Sequence, residues 1–365
     1  MRVVHLEAGM QLFGGVRQLR YLVQGLGRLG VDNVLLCPRG SAIAGSGTPA
    51  EVIELAMRGD LDFGMRRRIA EVLRAVRPDL LHVHSRRGAD LYGGFAARRA
   101  GVAAVLTRRV ESVEPGPWAR FKYAAYDRVI AISRAIRAQL VDDVGLAPGR
   151  VALVPSAVDT ELFHPTGTRG RLTDAFGLPA DARVLGCIAQ LIPRKGHELL
   201  LRSFARLAAR FRRLHLVCFG EGGLRATLQR RIETLGLSSQ VRLAGFRTDI
   251  AELIPELDLL VHPAEREGLG VAVLEAMAAC VPVVACSVGG VVDLIEDGVT
   301  GLLVRPGDEL GLTDAIQRAL TDSALRTRLA DRARRVAETE FSVARMVEAN
   351  LEIYRQVRRE HGRNR

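Results

Sequence analysis

The stretch Glu267-Gly268-Leu269-Gly270-Val271-Ala272-Val273-Leu274-Glu275-Ala276-Met277-Ala278-Ala279 decides how this chain folds. It follows an apolar run, Leu257-Asp258-Leu259-Leu260-Val261-His262-Pro263, that reads as a buried parallel strand. It opens into a segment rich in Ala, Leu and Met, which are good helix formers. The two glycines therefore fall in a strand-to-helix turn, where backbone N–H groups at a helix N-terminus face an anion. Glu267 belongs to the turn, and Glu275 is expected about two helical turns further on. One carboxylate then stands at the mouth of a crevice and the other deeper along the same wall. Two acids beside an anion-binding helix start suit a ligand that carries phosphates and hydroxyls together, as a nucleotide-sugar does.

The same strand-then-helix grammar runs through the chain. Apolar runs at 3–6, 34–37, 52–55, 80–84, 103–106, 128–132 and 151–154 read as strands, with helical patterns such as 16–29 and 65–76 between them. A second series follows at 184–189, 214–219, 241–244, 257–262, 281–285 and 301–304. Alternation of this kind predicts α/β domains with doubly wound parallel sheets and ligands at the carboxyl ends of the strands. Pro and Gly interrupt the pattern at Phe163-His-Pro-Thr-Gly-Thr-Arg-Gly170, the best linker. The expected division is a Rossmann-like domain over 1–162, another over 163–341 facing it across a cleft, and a terminal helix in 342–365 crossing back to the first.

A chain of 365 residues exceeds what one core usually supports. The start lacks the pattern of a signal peptide, and no apolar run approaches the roughly 20 residues of a membrane-spanning helix. Five scattered cysteines argue for reduced, core-filling thiols, not for a disulfide frame or a zinc site. These features predict a cytoplasmic protein. Residues 1–150 hold 23 Lys and Arg against 14 Asp and Glu, a net +9 that leaves +2 of the total +11 for the remainder. A basic half implies an anionic partner.

Several strand ends carry candidate chemistry. Gly14 and Gly15 lead from the first strand into a helix, without the G-x-G-x-x-G spacing of a dinucleotide site. In Asp79-Leu-Leu-His82-Val-His84, alternation puts both histidines on one face; His82 reads as a core imidazole and His84, at the strand end, as a ligand contact. One of Arg108 and Arg109 is expected to point into the cleft. Around Trp118-Ala-Arg120-Phe121-Lys122, aromatics interleave with cations, as in an interfacial membrane segment, a nucleic-acid stacking surface or an ordinary packed helix. The only two lysines are Lys122 and Lys195. In a chain that otherwise uses Arg, a compact ammonium at Pro193-Arg194-Lys195-Gly196-His197 suits a diphosphate. Gly222, in Gly220-Glu-Gly-Gly223, offers another close-approach loop.

On these residues the chain resembles the family-4 retaining glycosyltransferases of GT-B fold, nearly end to end and most strongly from Leu185 to Pro306. Glu267 and Glu275 match the family's E-x7-E element, and Arg194 with Lys195 its phosphate-binding basic pair. The resemblance implies that Glu267 contacts hydroxyls of the donor sugar, Glu275 the ribose, and Arg194 and Lys195 the diphosphate. The backbone of Gly268, Leu269, Gly270 and Val271 adds to the diphosphate contacts, and His84 touches the sugar. It also implies front-face retention with no metal and no cofactor beyond the nucleotide-sugar donor, and a glycan or glycolipid acceptor of the lipopolysaccharide-core or cell-envelope type. Reversible contact with an anionic membrane on the inner face is expected, and binding to nucleic acid is not. The chain departs from the family's pattern at Val154–Asp159, where Asn-Gly is common, at Cys280, where glycine is common, and at Ala189-Gln190-Leu191, which stands for Gly-Arg-Leu. The rival readings are a nucleotide-sugar epimerase on the same fold and, resting on the basic half, a nucleic-acid or membrane-binding protein.

Overall fold

The computed structural model describes every residue except 12–13, 87, 113, 115, 168–169 and 364–365. Thr168 and Arg169 of the expected linker, and Arg87 and Pro115 beside the candidate loops, thus lie outside the described residues. The chain divides into two compact units, Met1–Ala157 with Val343–Arg365, and Val158–Ser342.

In the first unit the strands are β1 (Arg2–Leu6), β2 (Asp32–Pro38), β3 (Glu51–Leu55), β4 (Leu80–Val83), β5 (Ala103–Arg108), β6 (Arg128–Ala131) and β7 (Val151–Leu153). They form one sheet in the order β3-β2-β1-β4-β5-β6-β7, with every neighbouring pair parallel. The sheet grows outward from β1 through β2 to β3 and resumes on the other side at β4. The carboxyl ends of β1 and β4 therefore flank the switch point, where this topology leaves a crevice. The helix Val343–Arg363 packs Met346, Val347, Leu351, Tyr354 and Val357 into a core with Val3, Leu22, Leu26, Leu80 and Val105. That spacing is one helical face. Where it crosses the helix Gly14–Arg28, a Cβ on Gly25 would lie 2.4 Å from Cγ2 of Val347, so only glycine lets the two backbones approach.

The second unit contains β8 (Arg183–Ile188), β9 (Leu214–Phe219), β10 (Val241–Gly245), β11 (Leu259–His262), β12 (Val283–Cys286) and β13 (Leu302–Val304). Their order is β10-β9-β8-β11-β12-β13, again all parallel, with the switch point between β8 and β11. The opening run becomes a strand at Leu259, two residues later than its apolar pattern starts. Leu257 is still held in a turn by its N–H bond to the Ile254 carbonyl, 3.0 Å. The helix of the deciding stretch spans Val271–Ala278, with Gly270 as its N-cap at φ +99°. Glu275 therefore stands one turn into the helix, not two. Just past the helix, Cys280 holds φ +58°, the left-handed region that glycine enters freely and an L side chain enters at about 1 kcal/mol or more.

Candidate active site

Each unit gathers polar groups at its own switch point. In the second, the turn Pro193–Lys195 leaves β8 and meets the end of β11 backbone to backbone. Glu265 N–H donates to the Arg194 carbonyl at 2.9 Å, and a Cβ on Gly196 would lie 1.9 Å from the Pro263 carbonyl oxygen. Gly196, at φ +70°, is thus the residue that lets these two turns touch. The contact delivers the Lys195 ammonium onto Oε2 of Glu267, with which it forms a salt bridge. His262 Nε2 donates to the same oxygen at 3.0 Å, and Gly268 N–H donates to Oε1 at 3.1 Å. Burial pushes the Glu267 carboxyl up, but the bonds and charges of His262 and Lys195 outweigh it and hold the group far below the usual carboxylate range. Glu267 is therefore a fixed anion.

The other expected residues of this unit fall around that pair. Arg194, half-exposed, donates from Nη1 to the Arg266 carbonyl at 3.2 Å. Glu275 is buried on the helix that Gly270 starts, and Leu269 is buried in the turn. The first-turn amides of that helix have no acceptor within the helix itself. Gly222 makes its close approach to protein: a Cβ there would lie 2.4 Å from the Leu191 carbonyl oxygen, and Leu191 N–H donates to the Glu221 carbonyl. It holds the loop after β9 against the loop after β8.

In the first unit, Gly14 and Gly15 begin the first helix, and Gly15 faces the Arg109 side chain, 3.6 Å from a Cβ placed on it. Arg109 donates from Nη1 to Ser156 Oγ at 3.3 Å, and burial lowers its pKa to about 10. Glu7, just past β1, is buried and accepts from Gly9 N–H at 2.7 Å. Burial raises its pKa against the bonds from Gly9 and Ser85 and the charge of Arg109. Ser85 Oγ accepts from Ala8 N–H at 2.6 Å. His84 is buried at the end of β4, with Nε2 3.0 Å from His5 Nδ1. His82 is a satisfied core imidazole: Nδ1 meets the Tyr354 hydroxyl at 2.5 Å and Nε2 meets Thr107 Oγ1 at 2.7 Å. His5, His82 and His84 bring one ring nitrogen each within 4.8 Å of one another, but both nitrogens of His5 and of His82 are already engaged in hydrogen bonds.

Lys122 is no surface cation beside Trp118. It is buried between Asp90 (2.9 Å) and Glu114 (2.7 Å), and Glu114 also takes Arg108 at 2.7 Å. Burial pushes Glu114 up, yet these cations hold its pKa at about 2. The choice between the paired arginines is settled with it: Arg108 enters this network and Arg109 turns toward Ser156. Glu7, His5, Asn33 and His262 are polar groups that sequence reading passed over. His5 stands opposite His82 in the β1–β4 register, which becomes visible only once the strands are paired.

Two parallel doubly wound sheets with ligand-type side chains at their switch points define the GT-B fold. Anabaena HepE, whose solved structure holds UDP-glucose, superposes with a TM-score of 0.85 at 21% identity, covering 98% of this chain and 100% of that one. Residues 169–336 match the family described as Glycosyl transferases group 1, and residues 14–162 match Glycosyltransferase Family 4. The putative glycosyltransferase EpsD of Bacillus subtilis is 32% identical over 305 residues, 79% of each chain. The lipopolysaccharide core biosynthesis glycosyltransferase LpsE of Rhizobium meliloti is 34% identical over 175 residues, 48% of this chain and 50% of that one. The chain belongs to this glycosyltransferase family. It spans from 45% to 79% of the length of the curated relatives it matches. The epimerase alternative finds no support among these matches.

Proposed function

We propose that the protein transfers a sugar from a nucleotide-diphosphate donor to an acceptor hydroxyl with retention of configuration and without a metal ion. The observation that carries this reading is the Lys195–Glu267 pair at the β8–β11 switch point, one turn from a glycine-started helix that also bears buried Glu275. A fixed anion suits sugar hydroxyls, and adjacent ammonium and guanidinium groups suit the diphosphate. In the transition state, Lys195, Arg194 and the amides from Gly268 to Val271 stabilise negative charge growing on the departing nucleoside diphosphate. This charge is what a metal ion would otherwise neutralise. Glu275 holds the ribose, and His84 in the first unit contacts the transferred sugar. Release of nucleoside diphosphate across a panel of donors beginning with UDP-glucose tests the reading. Turnover should resist EDTA, yield a product with the donor's anomeric configuration by proton NMR, and fall about a hundredfold in Glu275→Ala. Undiminished turnover in that variant refutes the site.

The acceptor in this reading is a glycolipid or other cell-envelope glycan. The name of the LpsE relative and the net charge of +9 over residues 1–150 support it. Among the described residues no helix is long and apolar enough to cross a membrane. The first unit instead exposes Trp118 and Phe121, 50% and 54% accessible with rings 5.8 Å apart, and Arg120 beside them. An amphipathic aromatic–cation patch binds an anionic bilayer reversibly. Sedimentation with anionic vesicles is expected to capture the wild type and to lose most of the Trp118→Ala, Arg120→Glu double variant. Equal partition of the two excludes this surface.

A further inference from the structure

The histidines beside β1 and β4 hold a proton arrangement that can be worked out bond by bond. Asn33 Nδ2 donates to two carbonyls, Val31 at 3.0 Å and Val23 at 3.3 Å. Its amide orientation is therefore set, and Oδ1, 3.0 Å from His5 Nε2, can only accept. His5 Nε2 must carry a proton. Burial lowers the His5 pKa to about 4 against the bond to Asn33, so the ring is neutral near pH 7 and its Nδ1 is a bare acceptor. That Nδ1 lies 3.0 Å from His84 Nε2, which must then be the donor. Burial, followed by the neighbouring His82 ring, pushes His84 well below the ordinary histidine range, so it is neutral too. Its single proton is on Nε2. His84 Nδ1 is left as a buried acceptor with no hydrogen-bond partner among the described residues.

We propose that Asn33, acting through His5, fixes His84 in the Nε2–H tautomer and so presents Nδ1 as a hydrogen-bond acceptor to one hydroxyl of the transferred sugar. The proposal rests on the reading of His84 as a sugar contact. Asn33 and His5 are positioning residues, and the substrate feature they select is a hydroxyl that donates. A fluorine at the same carbon offers no proton and is discriminated against. The chain also has a built-in reversal. With aspartate in place of Asn33, the donations to the Val23 and Val31 carbonyls are lost and the carboxylate draws a second proton, taken from solvent, onto His5. His5 Nδ1–H then donates, His84 Nε2 accepts, and the His84 proton moves to Nδ1.

The test begins with long-range proton–nitrogen NMR of the full chain labelled at histidine, without donor at pH 7.5. His84 is expected as the Nε2–H tautomer in the wild type and the Nδ1–H tautomer in Asn33→Asp. A wild-type His84 protonated on Nδ1, or on both nitrogens, overturns the proposal. In transfer assays Asn33→Asp should lose about tenfold in kcat/KM, the worth of one buried hydrogen bond. Its discrimination between hydroxyl and fluorine should shrink at a single carbon of the donor sugar, which general damage to the fold would not produce. A flipped tautomer with unchanged kcat/KM and unchanged discrimination overturns the proposal. His84→Phe separates the two levels. If it lowers transfer while the flipped Asn33→Asp does not, only the inference fails; if it too has no effect, the sugar-contact reading fails first. Should Asn33→Asp not fold, the wild-type tautomer together with the Nδ1 shift on adding hydroxyl and monofluoro donors decides: a shift with the hydroxyl donor alone supports the proposal, and equal shifts refute it.

Discussion

Lys195→Ala is expected to lower kcat for donor turnover by about 10²–10³-fold, the loss seen when one preorganised donor to a developing negative charge is removed. Two effects combine in that number. In the proposed reaction the ammonium no longer meets the departing diphosphate; in the fold, Glu267 keeps only His262 and its neighbouring amide as hydrogen-bond donors. Both partners are largely buried, at 11% and 13% side-chain exposure, so the orphaned carboxylate also costs stability, by about 3 kcal/mol. Lys195→Arg should recover little, because a planar fork cannot occupy the place of a compact ammonium under the Gly196 turn. Steady-state kinetics beside thermal denaturation separate the contributions. The double variant Lys195→Met, Glu267→Gln should regain stability over Lys195→Met alone and stay inactive. A Lys195→Ala enzyme with kcat within about threefold of wild type shows that the leaving group departs elsewhere.

Acid is expected to unfold the first unit well before it reaches the carboxylates of the surface. His5 falls from an ordinary 6.5 to about 4, and His82 and His84 lie well below 6.5, all chiefly through burial. For a base whose folded pKa is depressed, the unfolded chain binds the proton first, so stability is complete above about pH 6.5 and is lost as pH falls toward the folded value. Each such group removes about 1.4 kcal/mol per pH unit once it is protonated only in the unfolded state. His5 alone therefore withdraws about 3 kcal/mol by pH 4. Glu7 acts in the opposite direction, since its raised carboxyl favours the folded state as pH drops. One group does not offset three. Denaturant unfolding followed by Trp118, the only tryptophan, should show a midpoint falling steeply from pH 6.5 to 4.5. A midpoint flat across that range means that the imidazoles are not buried neutral.

Much of the fold was legible because parallel strands buried on both faces must be written as short continuous apolar runs. All thirteen runs became strands, with ends shifted by a residue or two where turns compete for the terminal amides. The turn chemistry was legible for a similar reason. Gly196, Gly220 and Gly270 all hold positive φ, and a Cβ on Gly196 or Gly220 would lie 1.9 or 2.0 Å from a backbone carbonyl oxygen. Composition misled at Lys122. One-dimensional interleaving with aromatics resembles an interfacial helix, but the ammonium is drawn inward because Asp90 and Glu114, from separate segments, converge on it.

By itself the sequence determined the strand-and-helix series, the glycine turns that join its strands to its helices, and, through the spacing of Glu267 and Glu275 beside Arg194 and Lys195, the family of the chain. These are properties of neighbours along the backbone, and local sterics and periodicity are enough to decide them. Tertiary structure alone decided which charges meet. Lys195 and Glu267 are 72 residues apart, and His5, Asn33 and His84 come from three different strands or strand ends. Their partnership depends on strand order and register, which bring distant side chains within 3 Å of each other. In the dry interior that follows, each imidazole loses its hydration, stays neutral, and has its proton placed by whatever its neighbour can accept.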